Sequence, residues 1–187
     1  MEANKYVTYE EFGRKFFEIA VTEERVADAF AEIAGDEFEM GPIGQGPGKF
    51  AKVSAKVKIG EPRVARTMGN PIRFAIRIPL AIEMVIDLRL DKPRFHVAGE
   101  VALSATARAA EPLQLVIDVE KPGPSEITVH VRSESLRAEL LRIVADVDGE
   151  VRRFIAAHVA AEIDSPASQA AQVIDVADRL DAAWTGL

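Results

Sequence analysis

Three histidines are the side chains best suited to acid–base or metal chemistry near neutral pH. His96 and His130 fall on the polar faces of predicted strands, which predicts solvated imidazoles. His158 falls on the apolar stripe of a predicted helix, as a packed histidine or as a polar group that orients a ligand head. No two histidines share an element at a ligand spacing, and cysteine is absent. We therefore expect no metal site and no thiolate nucleophile.

Glu83 and Asp87 form the carboxylate pair to be weighed for general acid–base catalysis. They share one face of a predicted strand at a separation of ~13 Å, so solvated carboxylates are the better interpretation. Ser104 and Thr106 have no base at a spacing that the sequence reveals. We therefore predict no catalytic residue, no cofactor and a protein that is not an enzyme.

The glycine-rich segment 41–48 invites comparison with a phosphate-binding loop. Pro42 and Pro47 remove backbone donors that such a loop needs, and no Lys-Ser or Lys-Thr pair follows at the required place. The next predicted element is also a strand rather than a helix. We interpret the segment as a turn that leads into a sheet.

Length and composition predict one globular domain. The 187 residues are 48% hydrophobic and 28% charged, so we expect one domain, 1–187, with a core of about 17–163 and a C-terminal helix in 166–187 that packs on the core or on a partner. No apolar run is long enough to cross a membrane and no signal peptide is recognised, so we expect a cytoplasmic protein. The net charge of −7 disfavours nucleic acid as a partner.

Basic residues gather on the outward face of the first two long predicted strands. They would suit an anionic membrane surface or an acidic partner. Ordinary solubilisation and protection of strands by lysine is the alternative. The residues concerned are Lys52, Lys56, Lys58, Arg73 and Arg77.

Alternation with a period of two dominates residues 50–132. Every even position from 72 to 90 is apolar, over a path of ~60 Å that Pro79 alone interrupts as a bend or a corner. The odd positions of 95–107 form a second apolar row. Strands with one solvent-exposed face and one buried face predict an antiparallel sheet that is covered on one side.

Helical periodicity marks both ends of the chain. Thr8 and Glu11 predict a short helix over about 9–14 or a little beyond, a short strand is expected at 17–21, and Thr22 caps a second helix. A long amphipathic helix is predicted over 135–163, with Leu136 among its apolar positions. A final helix carries the stripe Val173, Ala177, Leu180 and Trp184.

This order of elements resembles the tubular lipid-binding (TULIP) superfamily, whose familiar module is that of bactericidal/permeability-increasing protein. The likeness lies in the segments 21–26 and 43–50, the paired strands of 72–108 and the helix of 136–163. It implies a long, curved antiparallel sheet wrapped around a long C-terminal helix, an α+β fold with an acyl-chain cavity between the two. A START-like helix-grip domain, with strand, helix, strands and long helix over 17–163, is the alternative.

The predicted function is non-catalytic binding or carriage of an apolar small molecule or lipid, such as an acyl or isoprenoid chain. The competing hypothesis is a filled-core interaction module that acts through its C-terminal helix and basic strand face, for instance as a homodimer. The predicted ligand-binding residues are Phe74, Ile76, Ile78, Ile82, Met84, Ile86, Leu103, Ala105, Leu140, Ile143, Val147, Val151, Phe154 and His158.

Overall fold

Two helices precede the sheet and three follow most of it. The computed structural model describes residues 5–45, 47–130 and 138–185. The helices are α1 (Tyr9–Ala20), α2 (Glu23–Ala31), α3 (Ala138–Ile163), α4 (Pro166–Ala171) and α5 (Val176–Thr185). The strands are β1 (Glu37–Gln45), β2 (Ala51–Ile59), β3 (Arg63–Thr67), β4 (Ile72–Asp87), β5 (Arg94–Ala110), β6 (Gln114–Val119), β7 (Ile127–His130) and β8 (Val173–Asp175).

The strands form one curled antiparallel sheet in an α+β fold, which confirms the predicted class. The order is β1-β2-β4-β5-β6-β8, while β3 also pairs with β4 and β7 with β5. Strand β4 is too long for one neighbour, so β2 pairs with its Leu80–Asp87 half and β3 with its Arg73–Arg77 half.

Pro79 lies where these two neighbours meet. Its carbonyl accepts a hydrogen bond from Gly60 N at 2.8 Å, just beyond the end of β2. Pro79 is opposite Glu100 in the β4–β5 ladder, but on its other side it lies between the residues that pair with β2 and those that pair with β3. Its nitrogen, which has no hydrogen to donate, is therefore tolerated at this junction. Strand β4 continues through this position, so the predicted corner is not required.

Burial follows the predicted alternation along the two longest strands. Every even position of β4 from Ile72 to Ile86 is buried, as are the odd positions of β5 from Val97 to Ala107. Leu90 departs from the pattern and is fully exposed at 101%. The strand ends at Asp87, and a turn follows in which Leu88 N donates to Asp91 O and Arg89 has a φ of 69°.

The N-terminal helix is longer than predicted, and the strand expected at 17–21 is wrong. Thr8 caps α1 as expected, with its Oγ1 accepting from Glu11 N at 3.1 Å. The helix then continues to Ala20 because Phe16, Phe17 and Ala20 pack against the core. This tertiary contact outweighs the short alternation in the sequence.

The glycine-rich turn belongs partly to β1, which runs to Gln45. The register of β1 on β2 shifts between Met40 and Ile43, as in a β-bulge. Gly41 has a φ of 98°, and a Cβ there would lie 2.5 Å from Val53 O. Glycine is thus required at the bulge by backbone conformation and by close approach of β2.

The C-terminal region also differs from the prediction. Over the described residues α3 confirms the long helix, whereas Leu136 lies outside them. The single helix expected in 166–187 is wrong, because α4, β8 and α5 occupy the described part. Val173 belongs to β8 and pairs with Val116, so it cannot share a helical stripe with Trp184.

We expect Ile82→Ala to lower the free energy of unfolding by about 2–5 kcal/mol, since Ile82 is 1% exposed in the core. The matched control Leu90→Ala removes an aliphatic side chain that is fully exposed. It should change the free energy of unfolding by less than about 0.5 kcal/mol. Urea unfolding followed by circular dichroism measures both. Equal effects at the two positions would contradict the observed burial.

Candidate ligand pocket

A pocket of about 390 Å³ lies beside the buried face of the sheet. Its floor is near the middle of β4 and β5, where Ile78 pairs with Val101, and near the end of β2, where Ile59 pairs with Leu80. The floor is aliphatic throughout. It consists of Ile59, Ile78, Leu80, Val101, Leu103, Leu115, Ile117 and Val119.

Helices form most of the facing walls. The end of α1, the length of α2 and the C-terminal turns of α3 contribute Ala20, Val21, Val26, Ala29, Phe30, Ile33, Val159 and Ile163. Val26 of α2 is buried, but Phe30 of α2 and Ile33, two residues beyond its end, are only half-buried. Both half-buried side chains pack against the core and also line the pocket.

Arginine side chains hold the junction between α1 and α2 in place. Arg66 of β3 donates from Nη1 to the carbonyls of Val21 at 2.6 Å and Glu18 at 2.9 Å, and its backbone N–H donates to Glu23 at 2.7 Å. Arg25 donates to Ala20 O at 2.7 Å. These bonds satisfy carbonyls at the end of α1 and tie the α2 wall to the sheet.

His158 joins the pocket to the first strand. Its ring stacks on Phe38 of β1, with centroids 3.8 Å apart and planes 20° apart, and both residues line the pocket. The histidine is half-buried. It therefore packs against an aromatic ring, and a role in orienting a ligand head stays a prediction.

Three predicted ligand-binding residues line the pocket, namely Ile78, Leu103 and His158. The larger share lies elsewhere, because the sheet face that the alternation identifies is mostly packed. Buried in the core away from the pocket lining are Phe74, Ile76, Ile82, Met84, Ile86, Ala105, Val147 and Val151.

The remaining predicted residues lie on α3. Ile143 is partly buried against the core, and Phe154 is 37% exposed with its ring 6.2 Å from that of Phe38. The side chain of Leu140 lies outside the described part of the structure. The sequence predicted a helix after Thr22, but helical periodicity does not reveal whether its apolar side chains meet a filled core or a pocket.

Charged residues surround the pocket. Arg25, Asp36, Glu37 and Glu162 are exposed and contribute to its lining, together with the neutral Ser168 and Gln172. Glu37 forms an ion pair with Lys56 at 2.6 Å. The hydrogen bond from Lys56 holds the pKa of Glu37 below its ordinary value and raises the pKa of Lys56, so this pair is charged at neutral pH.

The predicted basic strand face is exposed but is interleaved with carboxylates. Besides the Lys56–Glu37 pair, Arg77 lies 3.1 Å from Glu100, and Lys52 is opposite Asp87 in the β2–β4 ladder. Lys58 and Arg73 are exposed as predicted. Docking on an anionic membrane stays a prediction. The neighbouring carboxylates reduce the net positive charge of the strand face that would support it.

The other side chains weighed for chemistry lie on the outer face of the sheet. His96 and His130 are exposed, as predicted. Glu83 pairs with Arg94 at 3.2 Å and Asp87 with Lys92 at 2.9 Å. The hydrogen bond from Lys92 lowers the pKa of Asp87, so this group remains a solvated carboxylate. Neither carboxylate is poised to transfer a proton to a shared substrate.

No group of three histidine, aspartate or glutamate residues within 5–45, 47–130 and 138–185 is arranged to hold a metal ion. Across the same part of the chain, every helix is too short or too polar to span a lipid bilayer.

We expect Arg66→Ala to loosen the α2 wall. The carbonyls of Glu18 and Val21 lose a charged donor, and the free energy of unfolding should fall by about 1–3 kcal/mol. Amide hydrogen exchange should accelerate most in α1 and α2. Arg63→Ala, at an exposed position on the same strand, is the control and should leave exchange unchanged. A uniform acceleration across the sheet would contradict a local role for Arg66.

No protein-family model matches the chain, and no curated protein matches it either. Evidence on function comes from the pocket, from the helices that line it and from the exposed charged residues at its rim, namely Arg25, Asp36, Glu37 and Glu162.

Proposed function

We propose that this protein binds, and thereby carries or sequesters, an apolar ligand in the pocket between the sheet and α2 and α3. The observation that carries the proposal is the gap of about 390 Å³ between walls that are mainly aliphatic. Ligand pockets occupy roughly 300–1,000 Å³ and combine apolar walls with a few polar groups. An acyl or isoprenoid chain has the chemistry that such walls accept.

The arrangement of polar groups supports the same proposal. The charged side chains of the pocket lining are exposed. The floor side chains Leu80, Val101, Leu103 and Leu115, in contrast, are at most 5% exposed. An amphiphile matches this gradient, with its chain on the floor and its polar end at the rim. Burial of its chain supplies about 25 cal/mol per Å² of apolar surface.

At the level of fold, we propose that the sheet curls around α3 as in the TULIP superfamily. Support comes from contacts of α3 with both β1 and β7, and from Val147, Val151 and Ile155, which join the same buried cluster as β4. The helix-grip alternative is less well supported, because residues 17–20 are helical where that fold would begin with a strand. The pocket lies toward the C-terminal end of α3 rather than along its whole length.

A second candidate function is association through α5. Leu180 is 49% exposed and Trp184 is 75% exposed. So large an exposed fraction is unusual for a tryptophan that no partner covers. A homodimer or another protein partner would cover them. Sedimentation at increasing concentration distinguishes this candidate, because a dimer that Trp184→Ala converts to monomer would support it.

We expect Ala29→Phe to weaken ligand binding. Ala29 lines the pocket from an exposed position on α2, so the ring enters ligand space with little strain in the unliganded protein. Overlap with the ligand should cost about 1–3 kcal/mol, or roughly 5- to 140-fold in affinity. Titration with Nile red, whose fluorescence rises in apolar surroundings, measures the loss.

The matched control is Ala31→Phe, an exposed alanine on the same helix that does not line the pocket. It should bind Nile red like the unmodified protein. Equal affinity for the Ala29 and Ala31 variants would contradict binding in this pocket. Absence of Nile red binding by the unmodified protein would contradict the proposed function itself.

A further inference from the structure

We infer, on the basis of the proposed function, that the pocket selects an amphiphile whose polar end is a protonated amine over one that ends in a carboxylate. The head group would meet the charges that the fold assembles at the rim of the pocket, while the apolar chain would lie on its aliphatic floor.

Acidic side chains outnumber basic ones among the lining residues. The lining includes three carboxylates, those of Asp36, Glu37 and Glu162, and one cation, Arg25. The Arg25 guanidinium is directed to the carbonyl of Ala20, at 2.7 Å, where it offsets the negative end of α1. Glu37 is compensated by Lys56. The carboxylates of Asp36 and Glu162 are exposed and therefore available to a ligand head.

The backbone of α3 adds to this negative potential. His158, Val159, Glu162 and Ile163 all lie in the last two turns of this 26-residue helix, and all line the pocket. A helix C-terminus carries roughly half a negative elementary charge. This contribution is independent of the carboxylates and acts at the same wall. A carboxylate head would be repelled by both, whereas an ammonium head would be attracted by both.

Displacement of Nile red by three dodecyl compounds tests the inference at pH 7, below their aggregation concentrations. Dodecylamine, dodecanol and dodecanoate share one chain and differ in head-group charge. The amine should bind about three- to tenfold more tightly than the alcohol, as expected for partly exposed ion pairs, and the carboxylate more weakly than the alcohol. Added salt should reduce the differences in affinity among the three compounds, because it screens the charges.

Two double variants separate the rim from the overall acidity of the protein. Asp36→Asn with Glu162→Gln should abolish most of the preference for the amine. Asp91→Asn with Asp146→Asn removes the same charge from exposed positions outside the pocket lining and should preserve it. An equal loss of preference in both variants would overturn the inference, because general attraction to an acidic protein would then explain the ranking.

The remaining outcomes distinguish the two proposals. If all three compounds displace Nile red and dodecanoate binds as tightly as dodecylamine or more tightly, the head-group inference is overturned and the apolar-ligand function stands. If Nile red itself does not bind, the proposed function fails and the inference fails with it.

Discussion

The one-sided burial of the β4–β5 ladder constrains the rest of this structure. Its antiparallel register runs from Ile72 opposite Ala107 to Val85 opposite Arg94, with every apolar row on the same face. A slip by one residue would turn that row to water, so the register is fixed by burial. The face must then be covered, and α3 does so in part through Val147, Val151 and Ile155, which join the same buried cluster.

The pocket is a consequence of incomplete cover. Strand β4 has 16 residues and extends about 53 Å, whereas α3 has 26 residues and extends about 39 Å. The short α2, tied down through Arg66 and Arg25, covers a further part of the face near the end of α3. The floor residues Leu80 and Val101 are at most 5% exposed, and both contribute to the lining of the pocket.

The sequence predicted the parts of the fold that depend on side-chain period. Ile76 and Ile82 are buried as the alternation requires, and α3 extends as its helical pattern indicates. It misplaced Phe17 and Val173, whose secondary structure depends on long-range packing and pairing. Most predicted ligand-binding residues lie in the packed core, because alternation identifies the buried face without giving the distance between sheet and helix.

Methyl chemical-shift mapping locates a bound ligand directly. In a methyl-labelled sample titrated with dodecylamine, we expect shifts at Leu80, Leu103 and Leu115, which line the pocket, and little change at Ile82 and Ile86 in the core. Perturbations confined to methyl groups outside the pocket, such as the exposed Ile19 of α1 or Leu180 of α5, would contradict a binding site between the sheet and the helices.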